Sequence, residues 1–235
     1  MTFWQITLEL LSSFGLTCLL FLLTLLLAIP LGLALSFCSM SKIKPVRAVT
    51  KFLVWIVRGI PLMLFICMIY YLPGIMGLEI NIFDSLDRYF TFSSGSKDLL
   101  YYGRFLAVLL AFVINYSCYF SEIFRGGIES IARGQYEAGQ VLGLTKGQIF
   151  RKIILKQVIQ RIVPPMSNEI ITLVKDTALA NVIAIPEIIK CAKDMAATQA
   201  LIWPLFYTAV FYLAFVGILT LVFGGLEKKL SYFKA

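Results

Sequence analysis

The fold class is decided by residues 14–38, which read FGLTCLLFLLTLLLAIPLGLALSFC. This run contains no charged residue and exceeds the roughly 20 apolar residues that an α-helix needs to cross a bilayer. No basic residue precedes it, and the run is longer than the apolar part of a cleaved secretory leader. We therefore expect residues 14–38 to stay in the protein as a membrane-spanning helix.

Four further apolar runs are long enough to cross the membrane, at residues 51–73, 103–124, 163–185 and 201–225. The chain is 60% hydrophobic and only 14% charged, whereas soluble domains carry about 25% charged residues. One soluble core could not bury this much apolar surface, so lipid must be the solvent for much of it. The sequence predicts an all-α polytopic membrane protein with about five transmembrane helices, forming a single domain over residues 1–235.

The basic residues indicate how the chain is oriented. Most of the 21 Lys and Arg residues lie in three segments, which follow the first, third and fifth predicted spans. Because basic loops stay in the cytoplasm, we expect the N-terminus outside and the C-terminus inside. The polar segment 74–102 is then an external loop, and the net charge of +8 reflects membrane topology rather than nucleic-acid binding.

Several kinds of chemistry have no residues to support them. The chain contains no histidine, the commonest metal ligand and general base, and its five cysteines include no CxxC pair. We therefore expect no metal site and no catalytic residues. A GxxxxGK[ST] phosphate-binding loop is also missing.

The segment 133–156, between the third and fourth predicted spans, reads RGQYEAGQVLGLTKGQIFRKIILK. A short helix over residues 134–142 should end at Gly143, and Thr145 with Gln148 forms a capping box that starts a second helix. Two short helices joined at a glycine can dock into a groove on another protein. The alternative is an amphipathic connector that lies on the membrane surface.

This segment resembles the cytoplasmic signature of binding-protein-dependent ABC importer permeases: Glu-Ala-Ala, three residues, Gly, nine residues, Ile-x-Leu-Pro. Here it reads Glu137-Ala138-Gly139, then Gly143, then Ile153-x-Leu155. Gly139 replaces the third-position Ala and Lys156 replaces the Pro. We expect Gly139 to make the first short helix more flexible, by up to about 1 kcal/mol relative to Ala. The resemblance implies a coupling helix that contacts an ATPase through Glu137, Ala138, Gly139, Gly143 and Leu144.

Three other stretches resemble the polar amino acid uptake branch of these permeases. They are Arg58-Gly59-Ile60-Pro61, then Tyr119 with Glu122 and Arg125-Gly126, then Asn168-Glu169 with Leu173-x-Lys175-Asp176-Thr177. Together with the signature they cover about residues 50–190 in the right order. The resemblance implies the type I ABC importer fold and a polar amino acid moved to the cytoplasm by alternating access.

The same resemblance implies the partners and the location. A second permease subunit forms a homodimer or heterodimer with this chain, and two ABC ATPase subunits bind ATP and Mg on the cytoplasmic side. An external solute-binding protein delivers the amino acid substrate. No cofactor is expected on this chain, which should lie in the plasma (inner) membrane of a bacterium or archaeon.

Polar residues inside predicted spans are costly, at roughly 2.5–3.5 kcal/mol for a charge, and therefore indicate function. Glu169 could accept hydrogen bonds from an ammonium group, and Asn115 can both donate and accept. Alternatives are a salt bridge from Glu169 to Arg58 and an interhelical hydrogen bond from Asn115. The full set of predicted substrate-binding residues is Glu169, Asn115, Tyr70, Tyr71 and Tyr119.

Two further groups are predicted to act without binding substrate. Arg58 and Pro61 are assigned a structural role, because Gly59 and Pro61 break the helix and Arg58 can donate to the freed carbonyls. Lys175, Asp176 and Thr177 are assigned to a gate or dimer interface, because Lys175 and Asp176 point about 100° apart on a helix and cannot pair with each other.

Three alternative functions remain open at this point. An ion-coupled secondary amino acid transporter would also place Glu169, Lys175 and Asp176 in the membrane, but it does not account for the signature segment. An intramembrane enzyme would need a nucleophile–base pair or a metal cluster. A scaffold without transport activity would show no substrate-stimulated ATP hydrolysis.

Overall fold

The computed structural model describes residues 2–76 and 102–230, and the regular elements within them are helical. This confirms the all-α prediction, while the predicted external loop at 74–102 lies almost entirely outside the described residues. The α-helices are α1 Phe3–Ser39, α2 Lys44–Gly59, α3 Leu62–Ile75, α4 Tyr102–Glu129, α5 Arg133–Val141, α6 Lys146–Ile149, α7 Leu155–Asp176, α8 Ile188–Gln199 and α9 Trp203–Leu230. A π-helical turn, Phe150–Ile154, joins α6 to α7, and a 3-10 helix, Thr177–Ile183, follows α7.

Helix α1 begins at Phe3, well before the predicted start at residue 14. Thr2 caps it, because the Gln5 N–H donates to Thr2 Oγ1 at 3.4 Å and the Thr2 N–H donates to Gln5 Oε1 at 2.8 Å. The first turns bury Ile6 and Leu10 against α8, a helix that the sequence analysis did not predict. The helix is longer than expected because its start packs on another helix.

The second predicted span, residues 51–73, is not one continuous helix. Helix α2 ends at Gly59, α3 starts at Leu62, and the two are bent by 107°. Pro61 has no N–H to donate and disfavours the helical conformation at Ile60, which is extended with φ −94° and ψ 130°. The break exposes two helix ends in the middle of the predicted span.

The fourth predicted span, residues 163–185, also differs from the structure. The α-helix that contains the first part of this span begins at Leu155 and gives way to a 3-10 helix at Thr177. The chain then turns at Ala184, whose φ of +61° is left-handed, and the buried Glu187 caps α8. The apolar run continues past Thr177, so hydropathy alone could not show where the α-helix ends.

Within residues 2–76 and 102–230, three helices, α1, α4 and α9, are long and apolar enough to cross a membrane. The bent pair α2–α3 makes a fourth if it is counted as one span. Helix α7 is not among them, since charged and polar residues interrupt it. In α4, 61% of the most apolar stretch is buried, while none of the corresponding stretch of α9 is. Helix α4 is therefore central to the described part of the fold and α9 is peripheral.

Helices α1 and α4 approach each other closely at Gly32. A Cβ at that position would lie 2.8 Å from Phe120 Cβ and 3.0 Å from the Ser117 carbonyl oxygen. Small residues allow helix backbones to pack at this distance in membranes. The contact fixes α4, which carries Asn115 and Tyr119.

Candidate functional site

A cavity of about 560 Å³ lies at the break between α2 and α3 and faces α4 and α7. Arg58 and the broken backbone at residues 59–62 form one part of its wall. Helices α4 and α7 supply polar side chains, which are Asn115, Tyr116, Tyr119, Glu169, Thr172 and Asp176. The break thus opens a polar cavity within a largely apolar helical bundle.

The cationic side of the cavity is Arg58. Its guanidinium carbon lies 4.9 Å from the centre of the Tyr119 ring, a cation–π distance. Its Nη1 lies 3.9 Å from Glu122 Oε2. Among the described residues, Arg58 pairs with Glu122, so the alternative of a Glu169–Arg58 salt bridge is not what the structure contains. Arg58, which was assigned a structural role, lines the cavity beside Pro61.

The acidic side of the cavity is on α7. Glu169, Thr172 and Asp176 are spaced so that they share one face of the helix. The Tyr116 hydroxyl on α4 donates to Asp176 Oδ2 at 2.7 Å. Asp176 therefore joins Glu169 in the cavity, although it was assigned to a gate or interface. Tyr116 is not among the predicted site residues, although it lines the cavity beside Asn115.

Asn115 is buried and lines the cavity together with Tyr119. The other two predicted aromatic residues do not. Tyr70 is packed in the core of the bundle, and Tyr71 is 49% exposed with its ring centre 4.8 Å from that of Tyr70. The structure therefore brings together Glu169, Asn115 and Tyr119 and leaves Tyr70 and Tyr71 outside the cavity.

The three residues predicted to form a gate or dimer interface, 175–177, lie in different environments. Lys175 is exposed, whereas Thr177 is fully buried and its hydroxyl donates to the Val174 carbonyl oxygen at 2.6 Å. Only Asp176 of the three lines the cavity. The three residues therefore have separate environments and do not form one surface.

The segment 133–156 contains the two helices expected of it. Helix α5 ends at Val141, and Gly143 turns the chain with φ +71°, a conformation that L-residues rarely adopt. Thr145 and Gln148 form the predicted capping box at the start of α6. The Leu144 N–H donates to the Gly139 carbonyl oxygen at 3.1 Å and closes the turn.

Gly139 is buried, and its lack of a side chain allows a close contact with a neighbouring residue. A Cβ at this position would lie 2.7 Å from Ile149 Cγ1 and 3.0 Å from Ile149 Cδ1. Ile149 is itself buried in a small core with Ile131, Ile154 and Val158. Gly139 therefore lets α5 pack tightly on this core, and its effect on the flexibility of α5 stays a prediction.

The outer surface of this segment is open. Glu137 and Ala138 are exposed on α5. Val141, the last residue of α5, and Leu142, which follows it, are 88% and 74% exposed. The last two residues were not predicted, although apolar residues beside the helix-ending Gly143 are a visible signal. We call α5 and the turn at Gly143 the projection. It exposes the apolar residues Val141 and Leu142 and the nearby carboxylate of Glu137.

The fold, with several helices apolar enough to cross a membrane, is that of a polytopic helical membrane protein. Residues 28–232 match the family model described as binding-protein-dependent transport system inner membrane component. The chain belongs to this family. It is a permease subunit of an ABC transporter, in agreement with the resemblance carried by Glu137 to Leu155.

Named relatives agree with this assignment. The chain is 32% identical to the arginine transport system permease protein ArtQ of Bacillus subtilis (strain 168), over 86% of this chain and 83% of the relative. It is 28% identical to a putative glutamine transport system permease protein GlnP of Rickettsia bellii (strain RML369-C), over 85% and 83%.

Solved structures also match. A crystal structure of an amino acid ABC transporter with histidines aligns with a TM-score of 0.79 and 26% identity, covering 96% of this chain and 95% of that one. An inward-facing MetNI methionine ABC transporter aligns with a TM-score of 0.65 over 98% and 99% of the two chains. At 15% identity the second match concerns the fold alone.

Proposed function

We propose that this permease carries a polar amino acid from an external solute-binding protein into the cytoplasm, and that the cavity at the α2–α3 break is its substrate site. One observation carries the proposal: Arg58 lines the same cavity as Glu169 and Asp176. A free amino acid has a carboxylate and an ammonium group, which need a cationic and an anionic partner respectively. Asn115 and Tyr119 add neutral hydrogen-bonding groups.

The energy for transport enters at the projection formed by α5 and the turn at Gly143. Its exposed Val141 and Leu142 suit an apolar groove on another protein, and Glu137 beside them supplies a charge for orientation. Two ABC ATPase subunits dock here and bind ATP and Mg, while this chain binds neither. A second permease, identical or different, completes the pathway.

The chain lies in a bacterial or archaeal plasma membrane with its N-terminus outside. The supporting observation is that the basic residues on α2, on α6 and at the end of α9 then face the cytoplasm with the docking projection. Ion-coupled secondary transport is not favoured, because the family depends on a binding protein and the projection would have no purpose.

The substrate site is tested by reconstituting the chain with its ATPase and binding protein in liposomes and measuring uptake of labelled L-arginine, L-glutamine and L-histidine. We expect Glu169→Gln to lower uptake of the transported amino acid by about tenfold, the value of one charge-assisted hydrogen bond. Glu129→Gln is the matched control, since Glu129 lies outside the cavity. Unchanged uptake by an assembled Glu169→Gln complex would remove the cavity from the pathway.

A further inference from the structure

Helix α4 carries a row of charged residues that leads away from the cavity. Glu122, Arg125 and Glu129 follow one another at helical spacing, and Arg125 pairs with both acids. Arg125 Nη1 lies 2.7 Å from Glu129 Oε2, and Arg125 Nε donates to Glu122 Oε1 at 3.2 Å. Glu122 does not line the cavity, but it is the described residue that connects this row to Arg58.

The carboxylate of Glu122 is shared unequally between two arginines. Arg125 donates to both of its oxygens, which fixes the carboxylate plane. Arg58 approaches only to 3.9 Å, outside hydrogen-bond distance, and its side chain remains 41% exposed. The guanidinium of Arg58 is thus attracted to Glu122 while its donors stay available to the cavity.

The acids across the cavity create a competing position for Arg58. Glu169 and Asp176 line the same space, and an arginine side chain has a long flexible stem. If Arg58 paired with one of these acids, the arginine could no longer bind a substrate carboxylate, and that acid could no longer bind a substrate ammonium group. The Tyr119 ring and Glu122 oppose this by holding the guanidinium on its own side.

We propose that Glu122 is a positioning residue that keeps Arg58 on the Tyr119 ring, so that the cavity presents separated opposite charges to a zwitterion. This inference rests on the proposed function and adds to it the residue that sets the preference for a substrate carboxylate. Arg125 keeps Glu122 in the orientation that this requires. Glu122 itself does not touch the substrate.

The test compares binding of labelled L-arginine with that of agmatine, which lacks the carboxylate, to the permease–ATPase complex in nanodiscs without binding protein. The wild-type complex should prefer L-arginine. We expect Arg58→Gln to lose this preference, and Glu122→Gln to reduce it by about tenfold, the value of a charge-assisted contact. In Glu122→Gln, agmatine binding should fall less than L-arginine binding, because an Arg58–carboxylate pair removes the guanidinium that lines the cavity but occupies only one of its two acids. A general loss of structure would lower the binding of both compounds equally.

Two further variants make the result decisive. Glu227→Gln makes the same change at the end of α9, at a residue that neither lines the cavity nor pairs with Arg58 or Arg125, and it should keep the wild-type preference. Glu122→Asp shortens the carboxylate and should fall between the wild type and Glu122→Gln; it decides the question if Glu122→Gln does not assemble.

The outcomes separate this inference from the proposed function. A wild-type preference in the Glu122 variants, with loss in Arg58→Gln, overturns the positioning role and leaves the substrate site standing. A wild-type complex that binds neither L-arginine nor L-glutamine nor L-histidine overturns the substrate site and the positioning role together.

Discussion

The side chain of Ile149 occupies the space that a β-carbon at position 139 would need. A Cβ on Gly139 would lie 2.7 Å from Ile149 Cγ1, closer than van der Waals contact. Position 139 is also one of the two positions, with 156, at which the chain departs from the permease signature. The packing therefore accounts for glycine at this position, because α5 lies so close to α6 that a side chain at 139 has no room.

We expect Gly139→Ala to lower ATP-driven uptake severalfold. Overpacking of this kind costs about 1–3 kcal/mol, which exceeds the gain of up to about 1 kcal/mol in helix propensity. Gly134→Ala on the same helix is the matched control, because a Cβ there meets nothing within 4 Å. Combining Gly139→Ala with Ile149→Ala should recover part of the uptake. Equal uptake in Gly139→Ala and Gly134→Ala would contradict the packing argument.

A second prediction concerns the turn after α5. Gly143→Asp should uncouple transport, so that ATP is hydrolysed with little uptake, since a residue other than glycine at φ +71° costs roughly 1–2 kcal/mol and moves the projection. The ratio of amino acid transported to ATP hydrolysed is the measurement. Gly147→Asp, in a position without positive φ or close contacts, should keep the wild-type ratio.

Glu137→Lys is also expected to uncouple transport from ATP hydrolysis. Glu137 is exposed on the projection, so the substitution reverses a charge at the docking surface without disturbing a core. The same transport-to-hydrolysis ratio is measured, with Gln140→Lys as an exposed substitution on the same helix. If Glu137→Lys transports as efficiently as Gln140→Lys, Glu137 has no special part in docking.

The last prediction concerns Tyr116. Tyr116→Phe removes the hydrogen bond to Asp176 Oδ2, a bond to a charged group that is worth about 1.5–3 kcal/mol. Because this bond holds the Asp176 carboxylate in place in the cavity, we expect the affinity for the amino acid to fall. Binding of the labelled amino acid to the complex reports this loss. Tyr71→Phe removes the same hydroxyl from an exposed ring outside the cavity and should bind normally. Equal affinities in the two variants would show that Tyr116 has no part in substrate binding.

Local features of this protein are predictable from its sequence because they depend on the chemistry of one or two neighbouring residues. Pro61 lacks an N–H and, with Gly59 two residues before it, favours a break in the helix at this point. Thr145 and Gln148 cap α6 through contacts three residues apart. The end of α5 at Gly143 follows in the same way, since glycine accepts a positive φ at little cost.

Features that depend on helix packing were not predictable in the same way. To predict that Asp176 lines the cavity, one must know which side of α7 faces α4. To predict the contact of Arg58 with Glu122, one must know where the bent α2–α3 pair lies. The exclusion of Tyr70 and Tyr71 has the same origin. The spacing of Glu169 and Asp176 does place them on one helix face, and this is the signal that could have joined them.

The central claim, that ATP hydrolysis on partner subunits drives an amino acid through this chain, is tested most directly by uptake into liposomes containing the full complex. Labelled amino acid uptake is measured with and without ATP on the ATPase side, and again after ionophores collapse every ion gradient. We predict uptake that requires ATP, continues after the gradients collapse and is lost in Gly143→Asp. Uptake that follows an imposed ion gradient and continues without ATP would contradict the account.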